Sequence, residues 1–199
     1  MGQNMILASG STIRRKLLER AGVEFDVQTA RVDEDMVRDA LLAENASARD
    51  IADALAELKA RKVSHRNPGA LVLGCDQVLS FEHQLLSKPR SRDAARDQLQ
   101  ALRGKRHQLL SAGVICEDGQ PIWRFVGTVR LMMRDFSDDY LDAYLDRNWP
   151  DISESVGAYK LEEEGVRLFS RVEGDYFTVL GMPLLEILNY LTLRGDLQK

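Results

Sequence analysis

Apolar positions along the chain fall into two rhythms, and their alternation predicts the elements. A short apolar run over Met5 to Ala8 gives way to Ser9-Gly10-Ser11, after which Ile13, Leu17, Leu18 and Ala21 recur at helical spacing until Gly22. This reads as strand, small-residue loop and helix. The segment FDVQTA predicts a second strand, and in the VDED that follows Asp33 or a neighbour can open a helix by accepting backbone N–H bonds. Residues 48 to 64 carry an Ala/Leu stripe at helical spacing that ends at Asn67-Pro68-Gly69. ALVLGCDQVLSF then reads as a buried strand interrupted by Asp76, and EHQLLSKP as a turn and short strand ending at Pro89. A helix delimited by Ser91 and Gly104 precedes two long strands joined through the hairpin signal Asp118-Gly119, and DDYLDAYLDRN forms an amphipathic helix. In the tail, a loop passes Gly157, a short strand pair is expected around VRLFSRVEGDYFTVL, and a closing helix starts at Pro183. Helices alternating with strands, followed by a β-rich middle, predict an α/β domain with a mixed, curved sheet flanked by helices.

Composition narrows the class. With 199 residues, 44% hydrophobic and 29% charged, one core is expected, so residues 1–199 are read as a single domain. A net charge of -4 speaks against a nucleic-acid partner, which demands a basic face, while leaving room for a small anion held by a few local cations. Cys75 and Cys116 sit in apolar runs and lack metal-ligand spacing, which suits buried, reduced thiols and not a zinc site. No stretch reaches the ~18 apolar residues of a membrane span and the N-terminal segment does not look like a signal peptide, so a cytoplasmic protein without a membrane partner is expected.

Five places in the sequence invite chemistry. LASGSTIRR brings a strand into a helix N-terminus, where unpaired N–H groups, the Ser9 and Ser11 hydroxyls and the Arg14 guanidinium suit phosphate; an ordinary capped helix has the same appearance. Asp76 lies in the middle of an apolar strand, so its carboxylate needs a metal ion, a cation or a water to deprotonate, or else membership of a structural ion pair. Glu34, in an acidic run that also reads as a surface cluster, could join Asp76 in a Mg²⁺ site completed by substrate phosphates. Lys59 lies on the Ala/Leu face of its helix, where inward pointing competes with snorkelling, and Lys88 precedes Pro89 at a strand end. His65, His83 and His107 occupy polar contexts and are assigned to the surface or to local hydrogen bonds.

In order, these elements resemble one family. LASGSTIRRKLLERAGVEF is similar to the Maf opening pattern L-A-S-x-S-x-x-R-x-x-L-L-x-x-x-G, and VDE and LAELKA to its acidic motif and lysine helix. GCDQV, SKP, LRGKRHQ and GDYFTVLGMPL resemble its remaining blocks, so the likeness runs from Met5 to about Leu191. The resemblance implies a nucleotide pyrophosphatase that cuts a nucleoside triphosphate to the monophosphate and pyrophosphate, with an ITPase-like curved sheet, a central cleft and a homodimer. It further implies that Ser9, Ser11 and Arg14 hold the triphosphate and that Lys59 and Lys88 neutralise the leaving group. Glu34 and Asp76 would hold Mg²⁺ or Mn²⁺, with Asp76 also activating water.

Against the dTTP/UTP branch of that family, Ile13 stands where an arginine is usual, Gln77 replaces a Thr and Ser155 a Lys. Gln77 and Glu162 resemble the 7-methyl-GTP branch, and a carboxylate is the acceptor that a guanine edge requires; Ile13, where that branch has an aromatic, fits neither. Two competing readings are an inactive nucleotide-binding regulator linked to cell division and a sugar-phosphate or nucleotidyl transferase sharing the phosphate loop.

Overall fold

The structure, a computed structural model, describes residues 4–198; residues 1–3 and 199 of the expected domain, including the start of the segment read for a signal peptide, lie outside the described residues. The elements run β1 (Met5–Leu7), α1 (Thr12–Arg20), β2 (Asp26–Val27), α2 (Glu34–Ala43), α3 (Ala48–Ser64), β3 (Leu71–Phe81), β4 (Gln84–Leu86) and α4 (Arg92–Leu102). There follow β5 (Arg106–Glu117), β6 (Gln120–Met133), α5 (Asp138–Asn148), two short 3-10 turns, β7 (Phe169–Glu173), α6 (Tyr176–Val179) and α7 (Leu184–Arg194). The fold class is α/β as expected, with a mixed seven-stranded sheet in the order β2-β1-β3-β5-β6-β7 and β4 paired to β3. Four helices begin at serines: Ser11, Ser47, Ser91 and Ser137 each accept a backbone N–H of the first turn of α1, α3, α4 and α5, and Asp33 does so for α2.

The chain forms two compact units. The first holds residues up to Gln77, Ser111–Gly127 and Gly181 onward; the second holds Val78–Leu110 and Thr128–Leu180. In the first unit β1 runs parallel to both β2 and β3, with Ile6 opposite Asp26 and Val72. The expected FDVQTA strand shrinks to Asp26–Val27, both exposed, because its alternating polar residues offer no apolar face to bury. Helix α3 lies directly on β3. A Cβ at Gly74 would stand 2.2 Å from the Ala56 carbonyl oxygen and 2.7 Å from the Ala60 nitrogen, so only glycine permits this approach. In the β5–β6 hairpin both Asp118 (φ 49°) and Gly119 (φ 75°) adopt the left-handed conformation that a two-residue turn of this kind requires.

The second unit is built around Leu79, Leu99, Leu131, Tyr144, Tyr159 and Phe169, all buried in one cluster. Its strands include β4, antiparallel to the end of β3, and β7, antiparallel to β6 with Arg130 opposite Glu173. Two expectations for the tail change. The anticipated strand pair is one strand, β7, which pairs with β6; the second half, Tyr176–Val179, is a short helix, because Asp175 caps it by accepting from the Thr178 N–H. Pro183 sits one place before the closing helix, at its cap.

Candidate functional site

The approach of α3 to β3 decides the geometry of the first unit's polar cluster. Position 76 shares the face of Gly74, so Asp76 emerges against α3, where Lys59 comes inward from the Ala/Leu stripe. Lys59 Nζ lies 2.6 Å from Asp76 Oδ1 and 2.8 Å from Glu34 Oε1. Lys59 and Asp76 are 7% and 5% exposed, whereas the Glu34 side chain remains about half in solvent. The inward alternative for Lys59 therefore holds, and Glu34, at the first turn of α2, is more than a surface acid. Burial pushes the Asp76 carboxyl above its ordinary pKa, with Lys59 and then Arg14 pulling it down. A carboxylate so placed accepts a proton more readily than an exposed one. Burial likewise pushes the Cys75 thiol up to about 11, which leaves it inert, and Cys116 is raised to about 11 by the same cause.

The loop between β1 and α1 brings its donors to the same unit. Ser9, at 7% exposure, accepts the Ser11 N–H at 3.2 Å and Arg14 Nη1 at 3.3 Å, so its own hydroxyl proton is left to donate elsewhere. Ser11 accepts from the Arg14 backbone as the helix cap. Arg14 is not a free phosphate fork: Nε donates to the Gly181 carbonyl at 2.8 Å and Nη1 to the Cys75 carbonyl at 2.8 Å. Ile13, half-buried on α1, offers an apolar wall. Gln77 leaves β3 on the face opposite Asp76, half-buried, and its Nε2 donates to the buried Ser111 hydroxyl of β5 at 3.0 Å. The structure thus gathers Ser9, Ser11, Arg14, Glu34, Lys59 and Asp76 in the first unit.

The remaining expected residues belong to the second unit. Lys88 is exposed and pairs loosely with Glu154 at 3.6 Å; Glu162 is exposed, and Ser155 is partly buried. His107 corrects the expectation for the histidines. It is 2% exposed, its Nε2 is 2.8 Å from the Tyr159 hydroxyl, and it packs against Phe169. Its polar neighbours in sequence, Lys105 and Arg106, point to solvent while the strand period turns position 107 inward. Two partners escaped sequence reasoning. Gly181 lay inside a quoted block, but a glycine signals backbone freedom and not a hydrogen-bond acceptor; Ser111, in an apolar run, carried no signal at all.

This arrangement of a phosphate-suited loop beside a buried acid and lysine defines a class. A family model described as Maf-like protein matches residues 4–193, and the chain belongs to that family. It is 65% identical over 199 residues, the whole of both chains, to the nucleoside triphosphate pyrophosphatase of Roseobacter denitrificans. It is 63% identical over 191 residues, 96% of each chain, to the nucleoside triphosphate pyrophosphatase of Ruegeria pomeroyi. The 7-methyl-GTP pyrophosphatase of Brucella abortus biovar 1 is 44% identical over 188 residues, 94% of each chain.

Proposed function

We propose that this chain is a nucleoside triphosphate pyrophosphatase, a hydrolase that splits the α–β anhydride to release the nucleoside monophosphate and pyrophosphate. The relatives' names support the activity, and one observation carries the chemistry: a buried carboxylate, Asp76, held by a buried lysine beside a loop of hydroxyl donors. Asp76 takes a proton from the attacking water, whose oxygen bonds to the α-phosphorus as the bond to the bridging oxygen breaks and pyrophosphate leaves. Ser9 and Ser11 donate to phosphate oxygens, and Lys59 offsets charge on the leaving group.

The donor set fits a divalent cation, Mg²⁺ or Mn²⁺. Glu34 Oε1 and Asp76 Oδ1 both pair with Lys59 Nζ, at 2.8 and 2.6 Å, so a divalent ion shared by these two carboxylates, with phosphates and water completing its shell, would lie beside that ammonium and not in its place. Such an ion supplies charge stabilisation to the phosphates.

The substrate proposed is 7-methyl-GTP or a related purine triphosphate, supported by the likeness of Gln77 and Glu162 to that branch and by the Brucella relative's name. Gln77 leaves β3 on the face opposite Asp76 and donates to the Ser111 hydroxyl, so its part in reading the base rests on the resemblance. The proposed roles of Lys88 in neutralising the leaving group and of Glu162 in reading the base rest on the resemblance, as do a cytoplasmic location and a homodimer; no described helix is long and apolar enough to cross a membrane. The test is to incubate the protein with Mg²⁺ and 7-methyl-GTP, GTP, CTP, UTP and dTTP and identify the product. Pyrophosphate is expected; orthophosphate, or no turnover at all, overturns the reading in favour of another reaction or an inactive regulator. Glu162→Gln should lower kcat/KM for the guanine-type substrate by roughly 10- to 100-fold. An unchanged ranking of nucleotides shows that this carboxylate does not read the base.

A further inference from the structure

Arg14 carries a set of bonds that phosphate binding does not explain. A guanidinium recognises phosphate through two parallel N–H donors on one edge of its plane. Two of the three nitrogens of Arg14 are already committed to the protein: Nε to the Gly181 carbonyl, and Nη1 to the Cys75 carbonyl and the Ser9 hydroxyl. Only Nη2 lacks a partner among the described residues. The three acceptors come from three separate stretches of the first unit: the loop after β1, the residue before Asp76 on β3, and the turn before α7. Gly181 is shaped to this contact. Its φ is +92°, and an added Cβ would stand 3.2 Å from Nη2 and 3.3 Å from Nε, so a side chain there meets the guanidinium as well as a strained backbone.

We propose that Arg14 is a positioning residue, a clamp that fixes the backbone of Cys75, and with it the direction of the Asp76 carboxylate, against the Ser9 loop and the Gly181 turn. This rests on the reading of Asp76 as the base. A clamp and a phosphate ligand answer differently to lysine, which keeps the charge and can reach a phosphate but whose three donors leave one nitrogen and so cannot reproduce the span between Nε at the Gly181 carbonyl and Nη1 at the Cys75 carbonyl. In Arg14→Lys, kcat should fall about 100-fold, the scale of a small misplacement of reacting groups, while KM and the affinity for a non-hydrolysable triphosphate analogue change less than about threefold. Gly181→Ala, which alters no phosphate donor, should lower kcat in the same direction, and the double variant should lose little more than Arg14→Lys alone.

The opposite pattern overturns the clamp: kcat of Arg14→Lys within about threefold of wild type with KM raised tenfold or more, or losses in the two single variants that simply multiply. Hydrogen exchange without nucleotide separates this failure from failure of the pyrophosphatase reading. Amides around Cys75–Gln77 should exchange faster in both Arg14→Lys and Gly181→Ala, whatever the wild-type substrate proves to be. Unchanged protection in Gly181→Ala, the milder variant, counts against the clamp even where Arg14→Lys does not fold.

Discussion

Two buried polar clusters, one in each unit, solve the same physical problem in opposite ways. In the first, Asp76 is held by Lys59, with Glu34 on the solvent side. In the second, His107 meets the Tyr159 hydroxyl among aromatic rings, and burial pushes its pKa down to about 4. The histidine avoids the cost of burying a charge by staying neutral, whereas the lysine and the acid need each other. A cluster that keeps opposite charges out of water can move protons and meet phosphates. The neutral pair makes one hydrogen bond and leaves His107 Nδ1 buried without a partner among the described residues.

The sharpest test of that contrast is Asp76→Asn. The amide keeps the size and can still face Lys59, but it cannot take a proton, so turnover should fall by roughly 10²- to 10⁴-fold while nucleotide binding survives. Turnover within about tenfold of wild type removes Asp76 from the role of base. Next in size is Lys59→Met, which strands the acid in the interior and should destabilise the fold by about 3–5 kcal/mol in urea unfolding. Combining it with Asp76→Asn should recover much of that loss, because no charge is then left unpaired.

The neutral pair predicts a pH dependence of known sign. The folded-state pKa of His107 lies below the unfolded value of 6.5, so between those values the unfolded chain binds a proton that the folded chain refuses. The contribution is present above about pH 6.5 and is lost as pH falls towards about 4, a change of roughly 3 kcal/mol in order of magnitude. His107→Gln, which cannot titrate, should be less stable than wild type at pH 7, and this difference should narrow on acidification; a constant difference refutes the assignment. The smallest effect belongs to Tyr159→Phe, which leaves the buried imidazole Nε2 without a partner and should lower stability by about 1–2 kcal/mol with kcat/KM unchanged. A comparable loss of activity would tie the second cluster to the chemistry.

Local physics was legible along the chain. Ser11, Ser91 and Ser137 start helices where the pattern placed them, α3 spans the expected 48–64, and Asp118-Gly119 turns the β5–β6 hairpin, because caps, helical periods and two-residue turns depend on neighbours a few residues apart. The anomaly of an acid inside an apolar strand was equally visible at Asp76, since its unpaired burial is costly whatever surrounds it. Which partner resolved that anomaly was not. Lys59 could as well have snorkelled, and only the contact of α3 with the bare backbone at Gly74 turns it inward onto Asp76. His107 went inward, against its polar sequence context, because the register of β5 turns it into the aromatic core. The bonds from Arg14 to the carbonyls of Cys75 and Gly181 join residues 61 and 167 positions away. Every residue offers such a carbonyl, so composition and spacing carry no mark of which ones are used, and that choice belongs to the tertiary structure alone.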